Sequence, residues 1–316
     1  MTRDANSRSL VKRLLRGEAR ATAELLTAIE SGDGRARAAL KAIYPHTGRA
    51  HVVGVSGPAG SGKSVLIDRI TAELRRRQRK VAILAVDPTS PRSGGALLGD
   101  RVRMKSHFLD PEVFIRSFAT RGSRGGVCAA IWGAIHCLDA MGKDVVLVET
   151  IGAGQDEIAV SEVSHTVLLV LTPWSGDEIQ RMKAGLVEIA HVVVINKCDL
   201  PGAEDASRQL AELYADGGRA VVRTSALHHR GIGELVDEIE RRGARLLAGP
   251  EAREARLNFC RRELLALLAE EFHEQARKKL ASPAAARLLR HVSTKRLDPY
   301  TAVEKITRSL LRGEAR

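Results

Sequence analysis

A glycine-rich segment near the start of the chain carries the pattern G-x-x-x-x-G-K-S at residues 57–64. Glycines allow backbone N–H groups to surround phosphate oxygens, and the amino end of a following helix adds a positive potential. The lysine at 63 is placed to reach the β- and γ-phosphates, and the hydroxyl of Ser64 is placed to bind Mg²⁺. The predicted phosphate-binding residues are Gly57, Pro58, Ala59, Gly60, Ser61, Gly62, Lys63, Ser64 and Val65.

A second motif, N-K-x-D, supplies Asn196, Lys197 and Asp199 about 130 residues after the first. A carboxylate at Asp199 can accept from guanine N1–H and the 2-amino group together, whereas adenine offers neither donor. The Lys197 stem can lie against the base, and Asn196 can brace the loops. The segment formed by Ser225, Ala226 and Leu227 suits a backbone contact to guanine O6. The pair of motifs therefore predicts GTP and GDP as ligands in preference to ATP.

Acidic residues that follow apolar runs complete the predicted Mg²⁺ site. Glu149 ends an apolar run at a position typical of a Walker-B acid, and Asp87 and Asp100 are further candidate ligands beside Ser64. For Asp100 a helix N-cap is an equal alternative. We assign catalytic roles to Lys63, Glu149 and Asp100, while Gln155 is a weaker candidate for orienting the attacking water.

The elements that must position these groups alternate between short apolar runs and amphipathic helices. Runs that are apolar on both faces are typical of parallel strands covered by helices. The sequence thus predicts an α/β P-loop NTPase fold, with a mostly parallel central sheet flanked by helices and with helical extensions at both ends. The predicted divisions are residues 1–47 (N-terminal helical extension), 48–250 (P-loop GTPase domain) and 251–316 (C-terminal helical arm). The predicted strands are 51–56, 81–87, 113–118, 144–149, 166–171, 191–196 and 220–224.

The net charge of +12 is concentrated outside the predicted nucleotide domain. Residues 48–250 hold 26 basic and 24 acidic residues, so ten of the twelve surplus charges lie in the helical extensions. We expect a basic surface there that meets an acidic or nucleotide-bearing partner. Nucleic acid is not an expected partner, because aromatic residues for stacking make up only 3% of the chain.

No apolar run approaches the roughly 18 residues of a membrane span, and the N-terminus lacks the apolar stretch of a secretory signal. The four cysteines have no C-x-x-C spacing, which favours small core residues over disulfides or a zinc site. We therefore expect a cytoplasmic protein with no membrane partner.

Four further segments resemble the MeaB/ArgK family, the methylmalonyl-CoA mutase-associated GTPases within the metallochaperone-type P-loop GTPases. They are 86–101 (VDPTSPRSGGALLGDR), 114–122 (FIRSFATRG), 148–155 (VETIGAGQ) and 298–302 (DPYTA). Residues 172–183 are similar to a family switch that senses the partner, with Trp174 and Ser175 in place of smaller residues. The resemblance covers nearly the whole chain.

The resemblance implies a Mg²⁺-dependent GTPase that acts as chaperone of an adenosylcobalamin-dependent acyl-CoA mutase. Such a protein gates cofactor loading, protects or reactivates the mutase, hydrolyses GTP slowly when alone, and forms a homodimer through its C-terminal arm. An alternative is a kinase associated with a lysine/arginine/ornithine transport system. A nickel or cobalt metallochaperone would need a Cys/His cluster, which the sequence lacks.

Overall fold

The structure is a computed structural model that describes residues 3–87, 106–119, 129–150, 156–174, 188–215 and 219–313. The chain is divided into two compact units, Met1–Arg262 and Glu263–Arg316. The division lies inside one long helix, close to the predicted boundary at residue 250. The three-segment division made from the sequence stays a prediction.

A seven-stranded parallel sheet forms the centre of the first unit, with the strand order β3-β2-β4-β1-β5-β6-β7. All seven predicted strands are present, within a residue of their predicted ends. The strands are β1 (His51–Ser56), β2 (Val81–Asp87), β3 (Val113–Ala119), β4 (Val145–Thr150), β5 (Thr166–Leu171), β6 (Val192–Ile195) and β7 (Ala220–Arg223). Every residue of β1, β5 and β6 is buried, which explains why these runs are apolar throughout.

Strand β1 lies between β4 and β5, and its register decides what meets at the carboxyl edge of the sheet. Val55 pairs with Glu149 on one side and with Leu168 on the other. Ligands of open parallel sheets bind beyond the carboxyl ends of the strands. The loop that leaves β1 and the carboxylate of Glu149, one residue before the end of β4, are therefore neighbours at this edge.

Helices cover both faces of the sheet. One face packs against α4 (Lys63–Arg76) and α8 (Ile232–Ala248), through an aliphatic core that includes Val53, Leu66 and Leu235. On the other face lie α5 (Ala129–Ala140), α6 (Asp156–Val163) and α7 (Ala203–Ala215). The two-sided covering confirms the predicted fold class.

The N-terminal helices α1 (Arg3–Leu15), α2 (Ala19–Glu30) and α3 (Gly34–Ile43) pack on α5 and belong to the first unit. Arg116 Nη2 on β3 donates to Glu30 Oε2 at 2.9 Å, which ties α2 to the edge of the sheet. A short 3₁₀ turn, Tyr44–His46, leads towards β1.

Helix α9 (Ala252–Leu280) runs into the second unit, which continues with α10 (Pro283–Ser293) and α11 (Pro299–Gly313). Both α10 and α11 start at a proline, a residue that is favoured at the first helical position. Asp298 Oδ1 accepts from the N–H of Thr301 at 2.8 Å and so caps α11, whereas Ser282 Oγ donates backwards to the carbonyl of Lys279 and makes no cap bond. Within the described part of the chain, none of the helices is both long and apolar enough to cross a membrane.

Candidate functional site

The glycine-rich loop leaves β1 and enters α4 at Lys63, as the motif requires. Lys63 Nζ donates to the carbonyl oxygens of Gly57 at 2.6 Å and Pro58 at 3.1 Å, so its ammonium lies inside the loop. The N-cap of α4 is Gly62, which has no side chain to bond the first N–H groups of the helix. This amino end is therefore built to receive an anion.

Two glycines of the loop occupy positions where a side chain does not fit. Gly57 has φ +142°, and a Cβ there would stand 2.1 Å from the carbonyl oxygen of Val170. Gly62 has φ +92°, and its Cβ would stand 2.5 Å from Asn196 Nδ2. By contrast, Gly60 has φ +79° and open space around it. The loop is thus held close to β5 and to the second motif, and its outer turn at Gly60 is left uncovered.

Ser64 and Glu149 form the polar pair of the predicted Mg²⁺ site. Ser64 Oγ donates to Glu149 Oε1 at 2.8 Å, and the glutamate is only 1% exposed. A hydroxyl and a carboxylate at the amino end of a phosphate-binding helix are the oxygen donors that Mg²⁺ prefers. The described residues contain no group of three His, Cys, Asp or Glu side chains that could hold a metal.

Asn196 joins the two motifs physically. Its Nδ2 donates to the carbonyl of Ser61 in the glycine-rich loop at 2.9 Å, and its Oδ1 accepts from Thr224 Oγ1 and from the N–H of Ala226, both at 3.1 Å. The side chain is 2% exposed, so these bonds are shielded from water. The phosphate loop and the loops that would hold a base are therefore one hydrogen-bonded assembly.

Asp199 stands at the end of this assembly with its carboxylate partly accessible. A hydrogen bond from the Ser225 hydroxyl lowers the pKa of Asp199, and the nearby positive charges of His228 and Arg230 act in the same direction. The carboxylate is thus ionised at neutral pH, as acceptance from two guanine N–H groups requires. Lys197 adopts a left-handed backbone with φ +62° between Asn196 and the aspartate.

The model of the family described as "Methylmalonyl Co-A mutase-associated GTPase MeaB" matches residues 22–281. The chain belongs to the MeaB family. A protein of Pyrococcus abyssi that is named as a GTPase is 41% identical over 96% of this chain and 97% of its own length. A fused isobutyryl-CoA mutase of Geobacillus kaustophilus is 37% identical over 71% of this chain, which corresponds to 21% of that longer protein.

Among solved structures, the crystal structure of a LAO/AO transport system kinase has a TM-score of 0.68 and 26% sequence identity, and covers 98% of this chain and 99% of that one. The MeaB family match and this likeness agree on the P-loop NTPase fold.

Three residues of this MeaB family site were not identified from the sequence. Thr224 supports Asn196, the Arg69 Nε on α4 donates to the carbonyl of Ala226 at 3.1 Å, and His228 approaches Asp199. No motif marks them, because each acts through a contact between segments that are distant in sequence or through the path of a loop. Leu227, by contrast, was predicted, and its side chain is 68% exposed at the loop surface.

Ala226 lies in the segment that was predicted to make a backbone contact to guanine O6, and its N–H donates to Asn196 Oδ1 within the protein.

Several predicted site residues lie outside the described residues. They are Asp100 and Gln155, together with residues 175–183 of the predicted partner switch. Asp87 ends β2 beside Ala119 of β3, but its side chain is not among those described. Their predicted roles stay predictions.

Proposed function

We propose that this MeaB family protein hydrolyses GTP to GDP and phosphate in a Mg²⁺-dependent reaction and serves as chaperone of an adenosylcobalamin-dependent acyl-CoA mutase. The observation that carries the GTPase part is the bonding of Asn196 to both the glycine-rich loop and the loop beside Asp199. This assembly supports simultaneous recognition of the phosphates and of guanine by one rigid site.

The described residues have distinct tasks in this proposal. The N–H groups at the start of α4 and the ammonium of Lys63 bind the phosphate oxygens, for which Lys63 exchanges its carbonyl partners for phosphate. Asp199 selects guanine, since adenine would leave a carboxylate without its donors. Ser64 and Glu149 would hold Mg²⁺, which when bound offsets negative charge on the β- and γ-phosphates.

The mutase part of the proposal draws on the family description and on the fused relative. The Geobacillus kaustophilus relative carries a segment similar to this chain within the same polypeptide as an isobutyryl-CoA mutase. Covalent fusion of the two segments supports a functional association between GTPase and mutase. We propose that this chain performs the same service for a separate mutase, as a cytoplasmic homodimer.

The likeness to a LAO/AO transport system kinase favours one competing function, transfer of the γ-phosphate to an acceptor. The two are separated by following γ-labelled GTP and ATP with the purified protein and Mg²⁺. Our proposal predicts that GTP is consumed in preference to ATP and that the label appears only as free phosphate. Label on a protein or small-molecule acceptor would favour the kinase.

The variant Lys63→Ala tests whether this site performs the hydrolysis. Loss of a charge-assisted partner of the phosphates should weaken GTP binding by about 10- to 100-fold. The matched control is Lys278→Ala, which changes an exposed lysine on α9 and should bind GTP normally. Equal GTP turnover in the wild type and in Lys63→Ala would refute the assignment of the site.

A further inference from the structure

Ala226, in the loop that follows β7, has both of its backbone polar groups held by side chains from other elements. Its N–H donates to Asn196 Oδ1, and its carbonyl oxygen accepts from Arg69 Nε on α4, both at 3.1 Å. The residue is 3% exposed, so these bonds are shielded from water. The N–H of Ala226 is therefore already engaged within the protein.

The next backbone donor of this loop belongs to Leu227. Among the residues that the structure describes, its N–H has no hydrogen-bond partner, and Leu227 itself is 68% exposed. The peptide bond between Ala226 and Leu227 is trans, so the carbonyl of the first and the N–H of the second point in opposite directions. Because Arg69 holds that carbonyl, the Leu227 N–H points away from α4.

The turn around this donor is closed and joined to Asp199. The N–H of Ser225 donates to the carbonyl of Arg230 at 3.0 Å, and the N–H of Arg230 donates back at 3.1 Å. The Ser225 hydroxyl also donates to Asp199, the carboxylate that the proposed function assigns to guanine. Guanine carries O6 directly beside N1–H, so a site that accepts from N1–H needs a donor next to its carboxylate. The free N–H of Leu227 is such a donor.

The guanidinium of Arg69 is itself fixed on α4. Its Nη1 pairs with Asp68 Oδ2 at 3.2 Å, and Asp68 Oδ1 accepts from Ser106 Oγ at 2.5 Å. The side chain of Arg69 is 27% exposed and that of Asp68 is 10% exposed. Since α4 begins at the glycine-rich loop, Arg69 connects the phosphate-binding helix to the turn beside Asp199.

We propose that Arg69 is a positioning residue for guanine recognition: by holding the Ala226 carbonyl, it directs the Leu227 N–H at guanine O6. This role rests on the proposed function, because it takes Asp199 as the acceptor for the same base. Arg69 touches no part of the nucleotide and acts through one peptide group. Its loss therefore weakens the contact to O6 and leaves the contacts to N1–H, to the 2-amino group and to the phosphates in place.

The test compares two diphosphates that differ in one atom, GDP and 6-thio-GDP. Sulfur is a weaker hydrogen-bond acceptor than oxygen, whereas the N1–H and 2-amino donors are the same in both nucleotides. Calorimetric titration of the full chain with each nucleotide and Mg²⁺ at pH 7 gives the ratio of the two Kd values. One neutral hydrogen bond corresponds to about 2- to 10-fold in Kd, so the wild type should prefer GDP by this factor.

Two substitutions separate the donor of Arg69 from the rest of its side chain. In Arg69→Gln the amide nitrogen lies as many bonds from the backbone as Nε does, so a donor for the Ala226 carbonyl is kept. Arg69→Met has a similar length but no donor, and both variants lose the pair with Asp68. Both introduced residues are good helix formers. The matched control is Arg76→Met, which changes an arginine of the same helix whose side chain is 72% exposed.

We expect the wild type, Arg69→Gln and Arg76→Met to prefer GDP by about 2- to 10-fold, and Arg69→Met to bind the two nucleotides about equally. If Arg69→Met does not fold, Arg69→Ala serves as the variant without a donor.

An Arg69→Met protein that keeps the wild-type preference would overturn the inference. So would loss of the preference in Arg69→Gln, or weaker binding of both nucleotides by one common factor in Arg69→Met, which marks a general structural defect. A wild type that binds GDP but does not distinguish it from 6-thio-GDP would overturn it as well. If the wild type binds neither nucleotide, the proposed function itself fails, which is a different outcome.

Discussion

Acidification from pH 8 to pH 5 should lower the free energy of unfolding by about 2 kcal/mol for each of three histidines, of which His51 is buried and His165 and His191 are partly buried. His51 begins β1, and His165 and His191 directly precede β5 and β6, so all three lie at the amino ends of neighbouring strands. Burial is the largest cause of their lowered pKa values, about 4 for His51 and His191 and about 3 for His165.

Hydrogen bonds explain why these imidazoles must stay neutral. His165 Nδ1 accepts from the N–H of Val52, and His191 Nδ1 accepts from the N–H of Val167, both at 3.0 Å. If either Nδ1 were protonated, it would become a donor facing a backbone N–H, which is also a donor. The hydrogen bond at that end of the strand would then be lost. Protonation therefore favours the unfolded chain.

The magnitude follows from the two pKa values of one group. For His191 the folded value is about 4 and the ordinary value is 6.5. Because the folded value is lower, the unfolded chain binds more protons, and stability is complete above pH 6.5 and is lost as the pH falls towards 4. The loss is about 0.8 kcal/mol at pH 6 and about 2 kcal/mol at pH 5 for each histidine.

Urea unfolding followed by tryptophan fluorescence measures this loss. Trp132 is buried, and its ring packs edge-on against the ring of Phe259 with 4.9 Å between centroids. The Phe259 ring in turn stacks on His165 at 4.1 Å, so the emission of Trp132 reports on the region of the histidines. In His191→Asn the amide oxygen can still accept from the Val167 N–H but does not titrate. Its loss of stability between pH 8 and pH 5 should be about 2 kcal/mol smaller than that of the wild type.

The matched control is His273→Asn, which changes an exposed histidine and should keep the wild-type pH dependence. The reasoning is refuted if the wild type loses less than about 1 kcal/mol between pH 8 and pH 5. An unchanged pH dependence in His191→Asn would refute it equally.

Three further predictions concern the site. Asp199→Asn should weaken GTP binding by about 10- to 100-fold and strengthen the binding of xanthosine triphosphate, since the new amide can donate to the xanthine 2-carbonyl. An unchanged preference for GTP over xanthosine triphosphate in competition titrations would contradict this. Asn196→Ala leaves three hydrogen-bond partners without their bonds and should lower the free energy of unfolding, measured with urea, by about 3 kcal/mol. The control Asn258→Ala changes an exposed asparagine and should lower it by less than about 0.5 kcal/mol. Gly57→Ala should lower the free energy of unfolding by about 3 kcal/mol, but Gly60→Ala by only about 1 kcal/mol, because only the Cβ at 57 would collide with β5. Equal losses of stability in the two variants would contradict this close packing of Gly57 against β5.

The sheet was predictable from the sequence because its strands are unbroken apolar runs, and burial on both faces is what produces such runs. The start of α4 at Lys63 was equally clear from the motif. The motif does not mark the end of this helix, which stops at Arg76 because Gln78 adopts φ +62°. The break between α1 and α2 is equally unmarked by a motif and falls at Gly17, which has φ +82°.

The site was predictable where a motif fixes the chemistry and less so where tertiary contacts do. The hydrogen bond between Asn196 and Ser61 joins residues 135 positions apart. From the sequence we expected only that Asn196 stabilises the loops, without knowing its partner. The approach of His228 to Asp199 depends on the closed turn that ends at Arg230. Loop closure of this kind has no periodic signature.

The most direct test of the account is the rate of GTP hydrolysis with a partner enzyme present. Purified protein, GTP and Mg²⁺ are assayed alone and with an adenosylcobalamin-dependent methylmalonyl-CoA or isobutyryl-CoA mutase, each in its cofactor-free and cofactor-bound forms. The account predicts slow turnover by the protein alone and faster turnover with a cognate mutase, with neither activity in Lys63→Ala. GTP turnover that stays the same with every mutase form would contradict it.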